Sequence, residues 1–161
     1  MVVLWPPVSA LLISFGVSQA HRYWVAKDPD SISMLFSNAI IFGLAAGVAS
    51  LLLAELIVPH LVGVRSPETM RWVRIYQINT PAALMQLLMV GLLDGARRFG
   101  WAGISRLIFF GVQAVAYLVL WSTGRLTLAT AALTMMLSQF SSMLFAVMAV
   151  RRQLRPRWQL R

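Results

Sequence analysis

LIFFGVQAVAYLVLWSTG (107–124) and LTLATAALTMMLSQFSSMLFAVMAV (126–150) stand side by side in the chain, separated by Arg125 alone. Neither stretch holds an Asp, Glu, Lys, Arg or His. Crossing the hydrocarbon core of a bilayer as an α-helix takes roughly 20 mainly apolar residues. At 18 and 25 residues, each stretch is long enough for one crossing, and the pair is far too long for a single helix. Ser122-Thr123-Gly124-Arg125 between them reads as a tight turn.

Three more charge-free blocks precede these two, at 2–20, 31–54 and 75–93. Together the five cover 105 of the 161 residues, and every charged side chain lies in the remainder. Composition agrees: 59% of residues are hydrophobic and 12% charged, where a soluble domain holds about 45–50% and about 25%. Mean hydropathy is +0.74. In lipid every backbone N–H and C=O must be paired within the protein, so such blocks form helices. The expected fold is therefore all-α: a polytopic integral membrane protein with five transmembrane helices in one domain over 1–161. The expected helices cover about 2–24, 31–58, 68–94, 101–123 and 126–152. A cleaved signal peptide does not account for the first block, which has no basic residue before it and four further blocks after it.

The connections are short and carry turn chemistry. Pro29 in Lys27-Asp28-Pro29-Asp30-Ser31 stops one helix, and Asp30 or Ser31 can cap the next. Val58 through Glu68 is the longest loop, with a helix start at Pro67 or Glu68. Asp94-Gly95-Ala96-Arg97-Arg98-Phe99-Gly100 is a further turn, in which Arg97 and Arg98 can neutralise Asp94 from i+3 and i+4.

Cytoplasmic loops collect Lys and Arg. The connections after the first, third and fifth helices hold ten basic residues, from Arg22 and Lys27 through Arg97, Arg98 and Arg106 to the tail at 151–161. The opposite side holds four: Arg65, Arg71, Arg74 and Arg125. This bias places the C-terminus in the cytoplasm and the N-terminus outside. The net charge of +9 is dispersed over loop tips on two faces rather than gathered in one groove. That dispersal argues against nucleic acid and for anionic lipid head groups as partners.

Polar residues inside the blocks mark the candidate site. Ser14, Ser18 and Arg22 share one face of the first helix: a polar cavity wall ending in a fixed cation, or an interfacial arginine reaching the head groups. Ala39, Gly43 and Gly47 form a small-residue stripe for close helix packing. Asn79 and Gln86 lie on one face of the third helix with Pro81 between them, which fits a kinked cavity-lining helix or plain interhelical bonding. Arg106, Phe110, Gln113 and Tyr117 form one stripe of the fourth helix, with its cation at the cytoplasmic end. Thr127, Thr130, Thr134, Ser138 and Ser141 fall on one side of the fifth and read as packing hydroxyls.

Catalytic chemistry is not visible. Two histidines and no cysteine leave too few ligands for an ordinary zinc centre. There is no glycine-rich phosphate loop and no Ser/His/Asp set. The expectation is no enzyme, no metal and no cofactor.

Three stretches carry a resemblance: 14–27 (SFGVSQAHRYWVAK), with its small-residue step, aromatic-rich end and basic loop; 92–99 (LLDGARRF), followed by Arg106; and the basic run 151–157 (RRQLRPR). In their order they resemble the polysaccharide or O-antigen type lipid-linked oligosaccharide flippases of the MOP exporter superfamily, across nearly the whole chain. The resemblance implies two six-helix lobes around a central cationic cavity, in a bacterial cytoplasmic membrane. The implied cargo is a polyprenyl-pyrophosphate-linked oligosaccharide, a polysaccharide or lipopolysaccharide precursor, carried outward by alternating access. On that implication Arg22 and Arg106 are the candidate pyrophosphate contacts, and Asn79 and Gln113 the candidate sugar contacts. The chain departs from the family in having five expected helices, so it is expected to be a partial, N-terminal lobe lacking its first helix and its second lobe. Its expected partners are then a second lobe or further copies of itself. The competing readings are a non-transporting membrane interaction subunit and a small membrane enzyme.

Overall fold

The computed structural model describes residues 16–62 and 67–157. Among these, all regular structure is helical: α1 (Val17–Lys27), a 3₁₀ turn (Pro29–Ser31), α2 (Ile32–Val62), α3 (Pro67–Gln77), α4 (Asn79–Gly95), α5 (Phe99–Ser122) and α6 (Leu128–Leu154). The all-α expectation holds; of the five expected spans, the described residues show three. Three of these helices are long and apolar enough to cross a bilayer: the 25-residue stretch Pro29–Leu53, which runs from the 3₁₀ turn through most of α2, and the whole of α5 and α6.

Two expected spans account for the difference. Most of the first, 2–24, lies outside the described residues, which show only the 11-residue α1 at its end. The span expected over 68–94 is divided at Ile78, whose N–H bonds the Ile75 carbonyl at 3.2 Å, three residues back instead of four. Pro81 follows and has no N–H to give to the Gln77 carbonyl, so the helical ladder is interrupted there. α4 is left with 17 residues, about 25 Å at the helical rise, short of the roughly 30 Å hydrocarbon core.

α4 tolerates its shortness because protein surrounds it. It is buried along almost its entire length, from Asn79 to Gly95, and packs against α1, α2, α5 and α6. Leu84, Leu88, Met89, Leu92 and Leu93 are fully enclosed, and the core around the last four continues into Phe36 and Ala39 of α2 and Ala146 and Val150 of α6. A helix apolar all round belongs at the centre of such a bundle.

The small-residue stripe of α2 is what lets it approach α4. A Cβ on Gly47 would lie 2.6 Å from the Pro81 Cβ and 2.8 Å from its Cα. α1 meets the other end of α4 in the same manner: Cβ atoms on Gly91 and Gly95 would fall 2.8 Å from the Ser18 carbonyl oxygen and 2.7 Å from that of Arg22.

Polarity is arranged inside out. Thr134, Ser138, Gln139 and Ser142 of α6 are buried, whereas Leu133, Leu137, Phe140, Leu144 and Met148 of the same helix are exposed. α2 exposes Ile41, Leu44, Val48 and Leu52 at helical spacing. Apolar faces this long are foreign to the surface of a soluble monomer and suit a lipid-facing wall.

The helix ends correct two local expectations and add a cap. Asp28 caps the 3₁₀ turn, its carboxylate accepting the Asp30 N–H at 3.1 Å. α2 runs past Pro59 to Val62, so the loop expected over 58–68 is shorter; a proline near a helix end forfeits little more than one bond. Arg97 and Arg98 do not pair with Asp94, because α4 stops at Gly95. Arg97 then turns left-handed at φ 58, and the Arg98 N–H bonds back to the Leu93 carbonyl. That turn carries both side chains to the exposed surface.

Candidate functional site

α1, α4 and α5 converge at the C-terminal end of α4. The Asp94 carboxylate sits there with its side chain only 7% exposed. One of its oxygens, Oδ2, accepts from the Arg22 guanidinium of α1 at 2.8 Å and from the Arg106 guanidinium of α5 at 2.8 Å. The arginines themselves are about half exposed, at 46% and 52%. Each guanidinium carries five N–H donors in a planar fork, so both keep donors free after serving Asp94. Two cations and one anion leave a local charge of +1.

Both arginines open onto a cleft of about 330 Å³ between α1, α4, α5 and α6. Ser18 and Gln19 of α1 and Phe109 of α5 form its walls, with Ala83, Leu87, Val90 and Gly91 along one face of α4. Gln86 and Gln139 also line it and belong to a polar network between helices. Gln139 donates its amide to the Gln86 carbonyl oxygen, and Gln86 donates to the Ser142 hydroxyl. Ser142 donates onward to the Ser105 carbonyl at 2.6 Å, and the Ser105 hydroxyl lies 3.2 Å from that of Ser142. Each member stands where an unpaired polar group would be costly, and each has a partner.

The four residues expected from sequence divide into two groups. Arg22 and Arg106 come together on Asp94 at the cleft. Asn79 and Gln113 do not line it. Asn79 opens α4, about 22 Å from Asp94 along the helix. There its Oδ1 is buried without a partner. Gln113 approaches the Tyr117 hydroxyl at 3.5 Å on the outer part of α5.

Sequence reasoning missed Gln139 altogether, gave Asp94 the wrong partners, and weighed Gln86 only as a companion of Asn79. A signal for both glutamines was present. Gln86 and Gln139 stand in charge-free blocks, where an amide must find a partner on another helix. Asp94 closes the third block, but nothing local identifies cations 72 residues before it and 12 after it as its partners.

Among the described residues no group of His, Cys, Asp and Glu could hold a metal ion. What the arrangement offers is recognition: two planar donor forks at the mouth of a cleft and two amides inside it. No protein-family model matches the chain, and no curated protein or solved structure does so either.

Proposed function

We propose that this chain is part of a membrane flippase that carries a polyprenyl-pyrophosphate-linked oligosaccharide or polysaccharide precursor outward across the bacterial cytoplasmic membrane. The observation that carries this reading is the pair of half-exposed guanidiniums, Arg22 and Arg106, gathered by Asp94 at one polar cleft. Arginine recognises phosphate through parallel N–H···O bonds, which a point charge does not reproduce. In this reading Arg22 and Arg106 take the pyrophosphate, while Gln86 and Gln139, which line the same cleft where Asn79 and Gln113 do not, take sugar hydroxyls. The protein binds and moves its cargo and catalyses no covalent step.

A second lobe, or a further copy, has a natural place against α5. Only Ala102 and Ser105 of that helix are buried, and Arg106, Phe110, Gln113 and Tyr117 run along it at helical spacing. A central cavity needs two walls, and this stripe is suited to form one of them.

The test is glycan export in cells that depend on this chain. Replacing Arg22 or Arg106 with Gln is expected to reduce export while membrane insertion is unchanged, and Lys is expected to restore it only in part. Full export by the double Gln variant would reject the reading.

A further inference from the structure

We propose that Asp94 is the resident counter-anion of the cleft. It occupies the two arginines while no cargo is bound and is exchanged for the incoming phosphate, so that it weakens binding in order to permit release. The proposal rests on the functional reading above and gives Asp94, which that reading uses only to gather the arginines, a part in release.

Three observations carry it. Asp94 engages Arg22 and Arg106 through the same oxygen, Oδ2, at 2.8 Å each, which is how a single phosphate oxygen would bridge two guanidiniums. Burial is graded in the required sense, with the carboxylate 7% exposed behind cations that are 46% and 52% exposed. A ligand in the cleft therefore meets the arginines first and the carboxylate behind them.

The third observation separates this role from a structural one. α1 is held on α4 by backbone contact at Gly91 and Gly95, where even a methyl group would collide with the Ser18 and Arg22 carbonyls. Val25 of α1 is buried in the common core. The Asp94 main chain is fixed independently, its carbonyl accepting the Arg97 N–H at 3.0 Å. The packing of α1 on α4 does not run through the carboxylate. Removing its charge leaves the two arginines beside the cleft unneutralised, and raises the local charge from +1 to +2.

A neutral residue at position 94 should therefore bind polyanions more tightly and release them more slowly. A clamp needed for structure predicts the reverse. The experiment titrates inorganic pyrophosphate against the purified full chain in lipid nanodiscs, comparing wild type with Asp94→Asn, Asp94→Ser, Asp94→Glu and the Arg22→Gln/Arg106→Gln pair. Both neutral variants should tighten binding on the order of tenfold, the effect of removing one like charge a few ångströms from a multivalent anion. Asp94→Glu should stay near wild type. In cells, Asp94→Asn should export less glycan despite its tighter binding.

Unchanged or weaker binding in both neutral variants, with loss of binding in the arginine pair, would overturn the counter-anion role and leave the functional reading standing. Equal binding by wild type and the arginine pair would overturn both. Failure of both neutral variants to give a folded, monodisperse chain would also overturn the role, since the glycine contacts would then not suffice to hold α1 on α4.

Discussion

Gly47→Ala is the sharpest test of the helix packing. The new methyl group would lie 2.6 Å from the Pro81 Cβ, 2.8 Å from its Cα and 2.8 Å from its Cγ. Non-bonded carbons settle at about 3.5–4.0 Å. All three neighbours belong to one rigid ring and its backbone, so no side-chain rotation relieves the overlap. α2 and α4 must separate by roughly 1 Å, and overpacking of this kind costs about 1–3 kcal/mol. Alanine returns up to about 1 kcal/mol of helix propensity, leaving a net loss of about 0–2 kcal/mol against wild type and about 1–3 kcal/mol against a glycine-to-alanine change made in open space. Gly103→Ala in α5 is the matched control, because nothing lies within 4 Å of its Cβ position. It receives the propensity gain without the overlap. Thermal unfolding in detergent micelles, followed by circular dichroism, should place the midpoint of Gly47→Ala about 2–12 °C below that of Gly103→Ala, which should hold or raise the wild-type value. A Gly47→Ala variant as stable as the control would refute the close approach of α2 and α4.

Arg97→Gly should stabilise the chain by about 1 kcal/mol in the same melts, because Arg97 holds a left-handed φ of 58 that costs a residue with a Cβ about 1–2 kcal/mol. Gln86→Leu should destabilise by about 1–3 kcal/mol, since it deprives Gln139 of its partner and Ser142 of a donor; the loss should shrink when Gln139 is also made Leu. The sequence contains no cysteine, so single introduced cysteines report topology directly. A Cys at Gly63 should react with an impermeant maleimide from outside and one at Arg98 only from the cytoplasm. Labelling of the Gly63 position only from the cytoplasmic side would reverse the orientation.

The long apolar helices were the most legible part of the fold, because lipid-facing composition and span length are local properties. Leu107–Gly124 and Leu126–Val150 needed only the Ser122–Arg125 turn to separate them. There Gly124 adopts a φ of 65 and the Arg125 N–H closes on the Leu120 carbonyl at 2.9 Å. The 75–93 block was equally apolar, yet it became the enclosed α4 instead of a full span. Composition does not distinguish a helix surrounded by lipid from one surrounded by other helices, since both are apolar all round. Pro81 was visible as a kink, but not that the break before it would fall at Ile78 and leave a 17-residue α4. In the site, the two arginines stood out as cations at the ends of charge-free blocks. Asp94 was read against its sequence neighbours, and the turn after Gly95 sends those neighbours away. Glutamine pairing between α4 and α6 is a tertiary fact with no trace in local spacing.

The polar floor of the cleft also constrains the order in which the protein is made. Gln86 lies on α4, but its partners Gln139 and Ser142 lie on α6, 53 and 56 residues later in the chain. A ribosome delivers α4 to the membrane well before α6 exists. Throughout that interval a helix too short to span comfortably carries an amide with no partner, in a medium that penalises one. α1 and α2 are already present and can shelter its apolar faces, but neither completes its hydrogen bonds. α4 therefore settles only when nearly the whole described chain has emerged. Nascent chains halted before Ser142 should engage membrane chaperones and proteases, and those halted after it should escape them.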